Sequence, residues 1–310
     1  MRLIFMGSGR FSVPSLKALL DSPHPVEALV TQPDKPAGRG HHLTMPPTKP
    51  IALERSIPVH QPVKVRAPES VELIRKIAPD CIVVVAYGQI IPKSILEIPP
   101  KGIINLHGSL LPAYRGAAPI QWSIARGETQ TGISTMLMEE GLDSGPVLLE
   151  RRISIDATDT GESLAAKLAP IGAELLLETL EAWDEGSISL RVQDESLVTL
   201  APRIKKEDAR IDWSLPAEAI DARVRAFIPW PVAFTELQGA EVKIYESSVE
   251  PPGTGLPRET VAIDRDGVVV GCGSGTRLRL IRVQAQGKKQ MAAADFARGK
   301  RLAPGTFWGE

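Results

Sequence analysis

From the N-terminus to about Asp184 the chain alternates short apolar runs with segments of helical periodicity. Apolar runs over 2–6, 81–86 and 102–107 predict buried strands, with helices predicted between them, for example over 12–20. Strands that are buried on both faces read as continuous apolar runs, and helices connect them when neighbouring strands are parallel. The pattern therefore predicts an α/β domain with a Rossmann-like, mostly parallel sheet.

The pattern changes in the last third of the chain, where short alternating strands replace the long helices. We expect a catalytic domain over 1–187, a polar linker over 188–207 and a smaller β-barrel domain over 208–310. Asp266-Gly267 is a hairpin signal between two of the predicted barrel strands. Those strands are 242–245, 260–263, 268–271 and 278–283.

Composition excludes several classes of protein. A length of 310 residues favours two domains, and a hydrophobic fraction of 43% is ordinary for a globular protein. No run approaches the roughly 20 apolar residues of a membrane span, and the N-terminus resembles a core strand more than a signal peptide. Two cysteines predict no disulfide framework. These features predict a cytoplasmic protein, and nothing in them requires more than a monomer.

Basic residues are concentrated in two places although the net charge is only -1. Residues 32–62 contain seven prolines and several basic side chains, which predicts a long loop or a series of extended pieces. Residues 277–301, called the basic segment below, carry eight Lys and Arg against one acid, Asp295. Such clusters either bind phosphates or form a solvated face, and the sequence alone leaves both readings open.

Three polar residues form the best candidate for a catalytic site. Asn105 and His107 end the apolar strand 102–107, where alternate side chains share one face and where open α/β sheets bind their ligands. Asp143 follows in a loop bounded by glycines. Ser109 lacks the Gly-x-Ser-x-Gly elbow of a nucleophile, and Cys81 lies in a predicted buried strand. If acyl transfer occurs here, the attacking group belongs to the substrate.

These residues carry a family resemblance. Asn105–Pro112 followed by Leu142–Gly145 is similar to the signature of enzymes that use 10-formyltetrahydrofolate. Within that formyltransferase family, the chain resembles the branch that formylates methionyl-tRNA. The segments that support this branch are 31–40, 115–122 and 205–213, in the order and spacing of the family.

The resemblance implies a reaction and a role for each residue. Asn105 would donate to an oxyanion, His107 would bind the same oxygen or relay a proton, and Asp143 would accept a proton from the amine. The substrates would be 10-formyltetrahydrofolate and initiator methionyl-tRNA, without a metal, and the C-terminal domain would resemble an OB-fold. The implied folate pocket comprises Val85, Ala86, Tyr87, Gly88, Ser109, Leu110, Leu111 and Pro112. The implied tRNA contacts are Lys35, Arg39, His41, His42, Arg277, Arg279, Lys288 and Lys289.

Three other functions compete with this interpretation. A formyltransferase for a small amine, such as an amino sugar or glycinamide ribonucleotide, would share the chemistry segment but would not need a basic, proline-rich loop. A non-catalytic RNA-binding module would need the basic residues but not Asn105, His107 and Asp143. An NAD enzyme is disfavoured because Ser12 occupies the third glycine position after Gly7-Ser8-Gly9.

Overall fold

The computed structural model describes residues 1–37 and 42–309. The chain folds into two compact units. Unit 1 comprises 1–119, 131–154 and 165–202, and unit 2 comprises 120–130, 155–164 and 203–310. The boundaries 1–187, 188–207 and 208–310 stay a prediction.

Unit 1 is built on a seven-stranded sheet that is mostly parallel. The strands, with a separate β3–β4 hairpin, are β1 (Leu3–Gly7), β2 (Val26–Val30), β3 (Lys35–Ala37), β4 (His42–Thr44), β5 (Val59–His60), β6 (Cys81–Val85), β7 (Ile103–His107), β8 (Gln130–Leu137) and β9 (Val147–Ser154). The sheet order is β5-β2-β1-β6-β7-β8-β9. Pairs from β5 to β7 are parallel, and β8 pairs antiparallel to β7. The predicted Rossmann-like α/β sheet is confirmed.

Helices connect these strands. They are α1 (Val13–Leu20), α2 (Thr48–Glu54), α3 (Pro68–Ile77), α4 (Lys93–Leu96), α5 (Pro119–Ala125) and α6 (Gly161–Glu185). The prediction of extended chain over 32–62 was wrong at α2. Its prolines stand at the N-cap, Pro47, and in the first turn, Pro50, where a backbone N–H has no partner within the helix. Within the described residues, no helix is long and apolar enough to cross a membrane.

The central strands of unit 1 are buried along their whole length. All five residues of β1, β6 and β7 are buried, which explains their unbroken apolar character and leaves Asn105 and His107 as the polar exceptions. There is no room for a side chain at Gly7, the last residue of β1. A Cβ there would lie 2.9 Å from the Val85 carbonyl oxygen and 2.6 Å from the Phe5 ring.

Unit 2 contains an antiparallel sheet. Its elements are α7 (Ala217–Ala226), β10 (Phe234–Leu237), β11 (Ala240–Glu250), β12 (Thr260–Asp264), β13 (Gly267–Gly271), β14 (Arg277–Ala285), β15 (Met291–Ala292) and α8 (Ala293–Lys300). The strand order is β10-β11-β14-β13-β12, and β15 pairs with β14. The hairpin predicted at Asp266-Gly267 joins β12 to β13. An antiparallel C-terminal β domain is thus confirmed, and the OB-like description fits this sheet.

Candidate active site

Asn105 and His107 lie at the carboxyl end of β7, beside the parallel strand β6. Because they are two residues apart in one strand, their side chains project from the same face of the sheet. Both are largely buried, with exposed fractions of 9% and 5%. A polar pair at this end of a parallel sheet is the arrangement from which α/β proteins build ligand sites.

The structure brings Asp143 to His107. The Asp143 Oδ2 atom lies 3.7 Å from His107 Nδ1, which is too far for a direct hydrogen bond. The other ring nitrogen, Nε2, lies 3.0 Å from the Tyr114 carbonyl oxygen. A carbonyl only accepts, so Nε2 carries a proton and Nδ1 is the nitrogen that can exchange one. The ring is therefore placed for proton transfer beside the carboxylate.

The side-chain amide of Asn105 makes no hydrogen bond to any described residue of the protein. Its neighbours on the paired strands, Val84 and Met136, are apolar. Buried polar groups in folded proteins are nearly always paired, so a mostly buried amide without a protein partner is a candidate to bind a ligand. An amide N–H₂ at this position can donate to an oxygen atom of a substrate.

The backbone around Asp143 is strained and tied to other segments. Asp143 has φ +50°, in the left-handed region that residues other than glycine rarely adopt. Its carboxylate Oδ2 accepts a hydrogen bond of 2.8 Å from the Gly116 N–H. Its carbonyl oxygen accepts a 2.8 Å bond from the side chain of Gln193. Ala86, after β6, and Tyr114, after β7, also have positive φ, of +47° and +63°.

Sequence reasoning missed three contributors to this geometry: the Tyr114 carbonyl, the Gly116 N–H and the Gln193 side chain. The sequence indicates Arg115-Gly116 only as part of a family segment. The glycine at position 116 is itself the available sequence signal. Its φ is +127°, and a Cβ there would lie 2.5 Å from the Ala201 carbonyl oxygen, so the position requires glycine. Gln193 lies in a stretch without periodicity, and nothing in its local sequence indicates its role.

The residues proposed to line a folate pocket fall into two groups. Val85, Tyr87, Ser109 and Leu111 are buried, whereas Ala86, Gly88, Leu110 and Pro112 reach solvent fully or in part. Ser109 donates through Oγ to the Ala113 carbonyl at 2.6 Å, so its hydroxyl stabilises the turn after β7. Burial raises the pKa of Tyr87 to about 12, and its hydroxyl has no hydrogen-bond partner among the described residues. The pocket itself stays a prediction.

Neither cysteine can act as a nucleophile in its present environment. Cys81 and Cys272 are both buried and free. Burial raises the pKa of each thiol to about 12, so the thiolate is a negligible fraction at neutral pH. The prediction that Cys81 lies in a buried strand is confirmed. Among the residues that the structure describes, no group of three or more His, Cys, Asp or Glu side chains could hold a metal ion.

The predicted tRNA contacts have different environments. Lys35 on β3 is exposed, as are Lys288 and Lys289 in the basic segment. Arg39 and His41 lie outside the described residues, and His42 begins β4. Arg277 donates to the Pro251 carbonyl. Arg279 lies 2.6 Å from both Glu250 and Asp264, and these hydrogen bonds raise the pKa of its guanidinium.

Comparisons with known proteins agree over the whole chain. The sequence model described as Formyl transferase matches residues 1–180, and Formyl transferase, C-terminal domain, matches 203–301. A methionyl-tRNA formyltransferase of Geobacter metallireducens is 50% identical over 309 residues, covering 100% of this chain and 99% of the relative. That of Geobacter sulfurreducens is 48% identical over 310 residues, covering 100% and 97%.

A solved structure gives the same result for the fold. An N-formyltransferase from Helicobacter canadensis, in complex with folinic acid and dTDP-3-aminofucose, superposes with a TM-score of 0.69. It is 16% identical, and the match covers 92% of this chain and 99% of that one. At this level of identity the likeness concerns the fold alone.

Proposed function

The chain belongs to the formyl transferase family, and from this premise we propose that it transfers the formyl group of 10-formyltetrahydrofolate to the α-amino group of methionyl initiator tRNA. The observation that carries the proposal is the site on β7: the Asn105 amide, which has no partner among the described residues, shares a strand face with His107, and His107 lies 3.7 Å from Asp143. Full-length identity near 50% to methionyl-tRNA formyltransferases supports this acceptor over a small amine. A role in translation initiation implies a cytoplasmic enzyme.

The first chemical requirement is a neutral amine, since an ammonium group has no lone pair with which to attack. We propose that Asp143 accepts this proton, directly or through water. Its carboxylate lies beside His107 Nδ1 and keeps a hydrogen bond from Gly116. In neutral imidazole Nδ1 is an acceptor, because Nε2 is the donor to Tyr114. Nδ1 and the carboxylate together then offer two acceptors to an incoming N–H group.

The second requirement is stabilisation of the tetrahedral intermediate. The amine nitrogen forms a bond to the formyl carbon, and the carbonyl π electrons move to oxygen. We assign the Asn105 amide as a donor to this oxyanion, because it is fixed in the strand and has no protein partner among the described residues. A preorganised donor of this kind is worth about 10²–10³ in kcat.

The third requirement is protonation of the leaving group. When the oxyanion re-forms the carbonyl, the bond from carbon to the folate nitrogen breaks, and that nitrogen takes up a proton from the attacking amine. We assign His107 to carry this proton through Nδ1. The amine loses two protons in all, one to Asp143 and then solvent and one to the folate, which balances the reaction.

The basic residues supply the affinity for tRNA in this proposal. Lys35, Lys288 and Lys289 are exposed lysines that can contact phosphates, and Arg39, His41 and His42 follow Lys35 within seven positions of the sequence. Phosphate contacts release counterions, so binding should weaken steeply with salt. Arg277 and Arg279 remain in the proposal as weaker candidates, because their guanidinium groups already donate within the protein.

The decisive experiment supplies labelled 10-formyltetrahydrofolate with methionyl initiator tRNA, free methionine or an amino sugar. We expect label on the tRNA alone. Label on the sugar or on methionine would favour a small-amine enzyme, and label on none would reject the formylation of methionyl-tRNA.

Substitutions then test the residue roles. His107→Ala and Asp143→Asn should cut turnover by orders of magnitude and leave tRNA affinity nearly intact, whereas the exposed control Asp266→Asn should change neither. Equal losses of turnover and affinity would assign the two residues to binding instead.

A further inference from the structure

The proposed chemistry depends on Asp143, which lies in the loop formed by residues 139–146. Asp143 itself has a strained backbone conformation. That loop, called the Asp143 loop, contains two glycines and ends at Pro146, so its own sequence does not fix its shape. Asp143 keeps φ +50° in spite of its side chain. Strain of this kind persists only where surrounding contacts impose it. The contacts that do so come from a segment about 50 residues further along the chain.

Gln193 makes these contacts with both protons of its side-chain amide. Nε2 donates to the Asp143 carbonyl at 2.8 Å and to the Gly145 carbonyl at 2.6 Å. The two carbonyls flank Ser144, so one side chain fixes the turn on both sides. Gln193 is only 7% exposed, and burial makes these hydrogen bonds costly to lose.

Arg115 fixes which way the Gln193 amide points. Its Nε donates to Gln193 Oε1 at 2.9 Å, and a guanidinium can only donate. The oxygen end of the amide must therefore face Arg115, and the nitrogen end must face the Asp143 loop. Arg115 is itself 6% exposed and forms a two-bond pair with Glu195 through its remaining nitrogens, at 3.2 and 2.8 Å. That pair lowers the pKa of the Glu195 carboxyl.

Residues 114–116 contact both His107 and Asp143, the proposed catalytic pair. The Tyr114 carbonyl accepts from His107, the Arg115 side chain orients Gln193, and the Gly116 N–H donates to the Asp143 carboxylate. Backbone bonds of Arg115 to Thr199 and Ala201 attach this stretch to the chain that follows Gln193. Residues 193–201 are thus bonded to the Asp143 loop directly and to the segment that contacts His107 through Arg115.

We propose that Gln193, oriented by the buried Arg115, is a positioning residue that keeps the Asp143 carboxylate beside His107 for proton transfer. The residue touches no reacting atom and acts through the backbone of the Asp143 loop. The inference deepens the proposed function and rests on it for its catalytic part. Its structural part, that Gln193 fixes the loop, can be measured without any turnover.

The test uses Gln193→Ala and the better volume match Gln193→Met, with Glu185→Ala, at the exposed C-terminal end of α6 in unit 1, as the control. We expect kcat to fall by about 10- to 100-fold in both Gln193 variants, while the KM for each substrate changes by less than about threefold. Melting temperatures identify a variant that has failed to fold. A kcat within twofold of the parent enzyme in Gln193→Met would overturn the proposal.

A double-mutant cycle separates positioning from general damage. In an Asp143→Asn background there is no base left to position, so adding Gln193→Met should reduce kcat by less than about twofold. If Gln193→Met causes an independent structural defect, the fold-decrease in kcat of the double variant will equal the product of the two single decreases. That result would contradict the proposal.

Hydrogen–deuterium exchange of the Gly116 amide gives a readout that needs no activity. This N–H donates to the Asp143 carboxylate, so its exchange should become at least about tenfold faster in the Gln193 variants and stay unchanged in Glu185→Ala. If the parent enzyme formylates no tRNA, the proposed function fails on that assay alone. Unchanged exchange at Gly116 would instead reject the positioning role.

Discussion

Among the described residues, the buried polar side chains that lack a protein partner lie in unit 1. In unit 1 the mostly buried amide of Asn105 has no hydrogen-bond partner among the described residues. In unit 2 the buried indoles do: Trp213 Nε1 donates to Thr235 and Trp308 Nε1 donates to Thr260, both at 3.0 Å. Among the described residues, two fully buried side-chain oxygens have no hydrogen-bond partner. They belong to Ser15 and Tyr87, which are also in unit 1.

We infer that a polar group without a protein partner serves the reaction, whereas a paired polar group serves stability. An unpaired buried donor costs free energy, and the cost is tolerated where a ligand supplies the missing partner. Removing such a donor should harm the reaction and leave folding intact. Removing a residue from the saturated core of unit 2 should do the reverse. The predictions below test this contrast.

Within unit 2, we expect substitution of Trp308 to reduce the unfolding free energy the most. Trp308 is fully buried and packs against Phe296 and Trp213, at ring-centroid distances of 6.3 and 6.5 Å. Trp308→Ala leaves a large cavity and strands the Thr260 hydroxyl, so we expect unfolding free energy to fall by about 3–5 kcal/mol. Urea denaturation measures it. A loss under about 1 kcal/mol would show that this core is not the source of stability.

Asn105→Ala should give the opposite result. We expect kcat to fall by about 10²–10³, which is about 2.7–4 kcal/mol of transition-state stabilisation. Unfolding free energy should stay within about 0.5 kcal/mol of the parent, because no described residue loses a hydrogen bond. Steady-state kinetics and urea denaturation on one preparation test both parts. A variant that is as active as the parent, or one that unfolds, would break the contrast.

The elements of both units could be predicted where the signal is local. The apolar runs that became β1, β6 and β7 needed only their own residues, and so did the placement of Asn105 and His107 on one face. On β14, Leu278 and Leu280 alternate with exposed or partly exposed neighbours and are fully buried, as is Val283. Periodicity records which face a side chain occupies, and this information is contained in a few consecutive residues.

Contacts between distant residues could not be predicted in the same way. Gln193 reaches Asp143 across 50 positions, and Arg279 reaches Glu250 across 29. The partner of a polar side chain depends on register and on loop shape, and neither is encoded next to that side chain. The helix α2 was missed for a related reason, because its prolines weaken the local signal without preventing a helix that begins at them.

Lys288 and Lys289 test whether exposed charge in unit 2 serves RNA instead of stability. We expect Lys288→Ala/Lys289→Ala to weaken tRNA binding by up to about tenfold and to reduce the slope of log affinity against log salt by about 2. Unfolding free energy should not change. Fluorescence titration of labelled tRNA at several salt concentrations measures this slope. An unchanged slope would remove both lysines from the RNA contacts.

Arg279 should give the smallest effect and the sharpest test, because sequence reasoning assigned it to tRNA whereas its contacts are ion pairs. Its hydrogen bond is the largest cause of the lowered pKa of Asp264. A carboxyl with a lowered folded-state pKa adds stability above its ordinary value of 3.8, and that stability is lost as pH falls through the folded value. Arg279→Met should therefore cost less than about 1 kcal/mol at pH near 7 and progressively less below pH about 4.

Urea denaturation of the parent and Arg279→Met at several pH values, with tRNA titration at neutral pH, distinguishes the two roles. A structural Arg279 predicts a pH-dependent stability loss with tRNA affinity unchanged within twofold. A large loss of affinity with unchanged stability would return this arginine to the RNA surface. The contrast between the units would then be wrong for Arg279, because this residue would leave Glu250 and Asp264 to bind a phosphate of the tRNA.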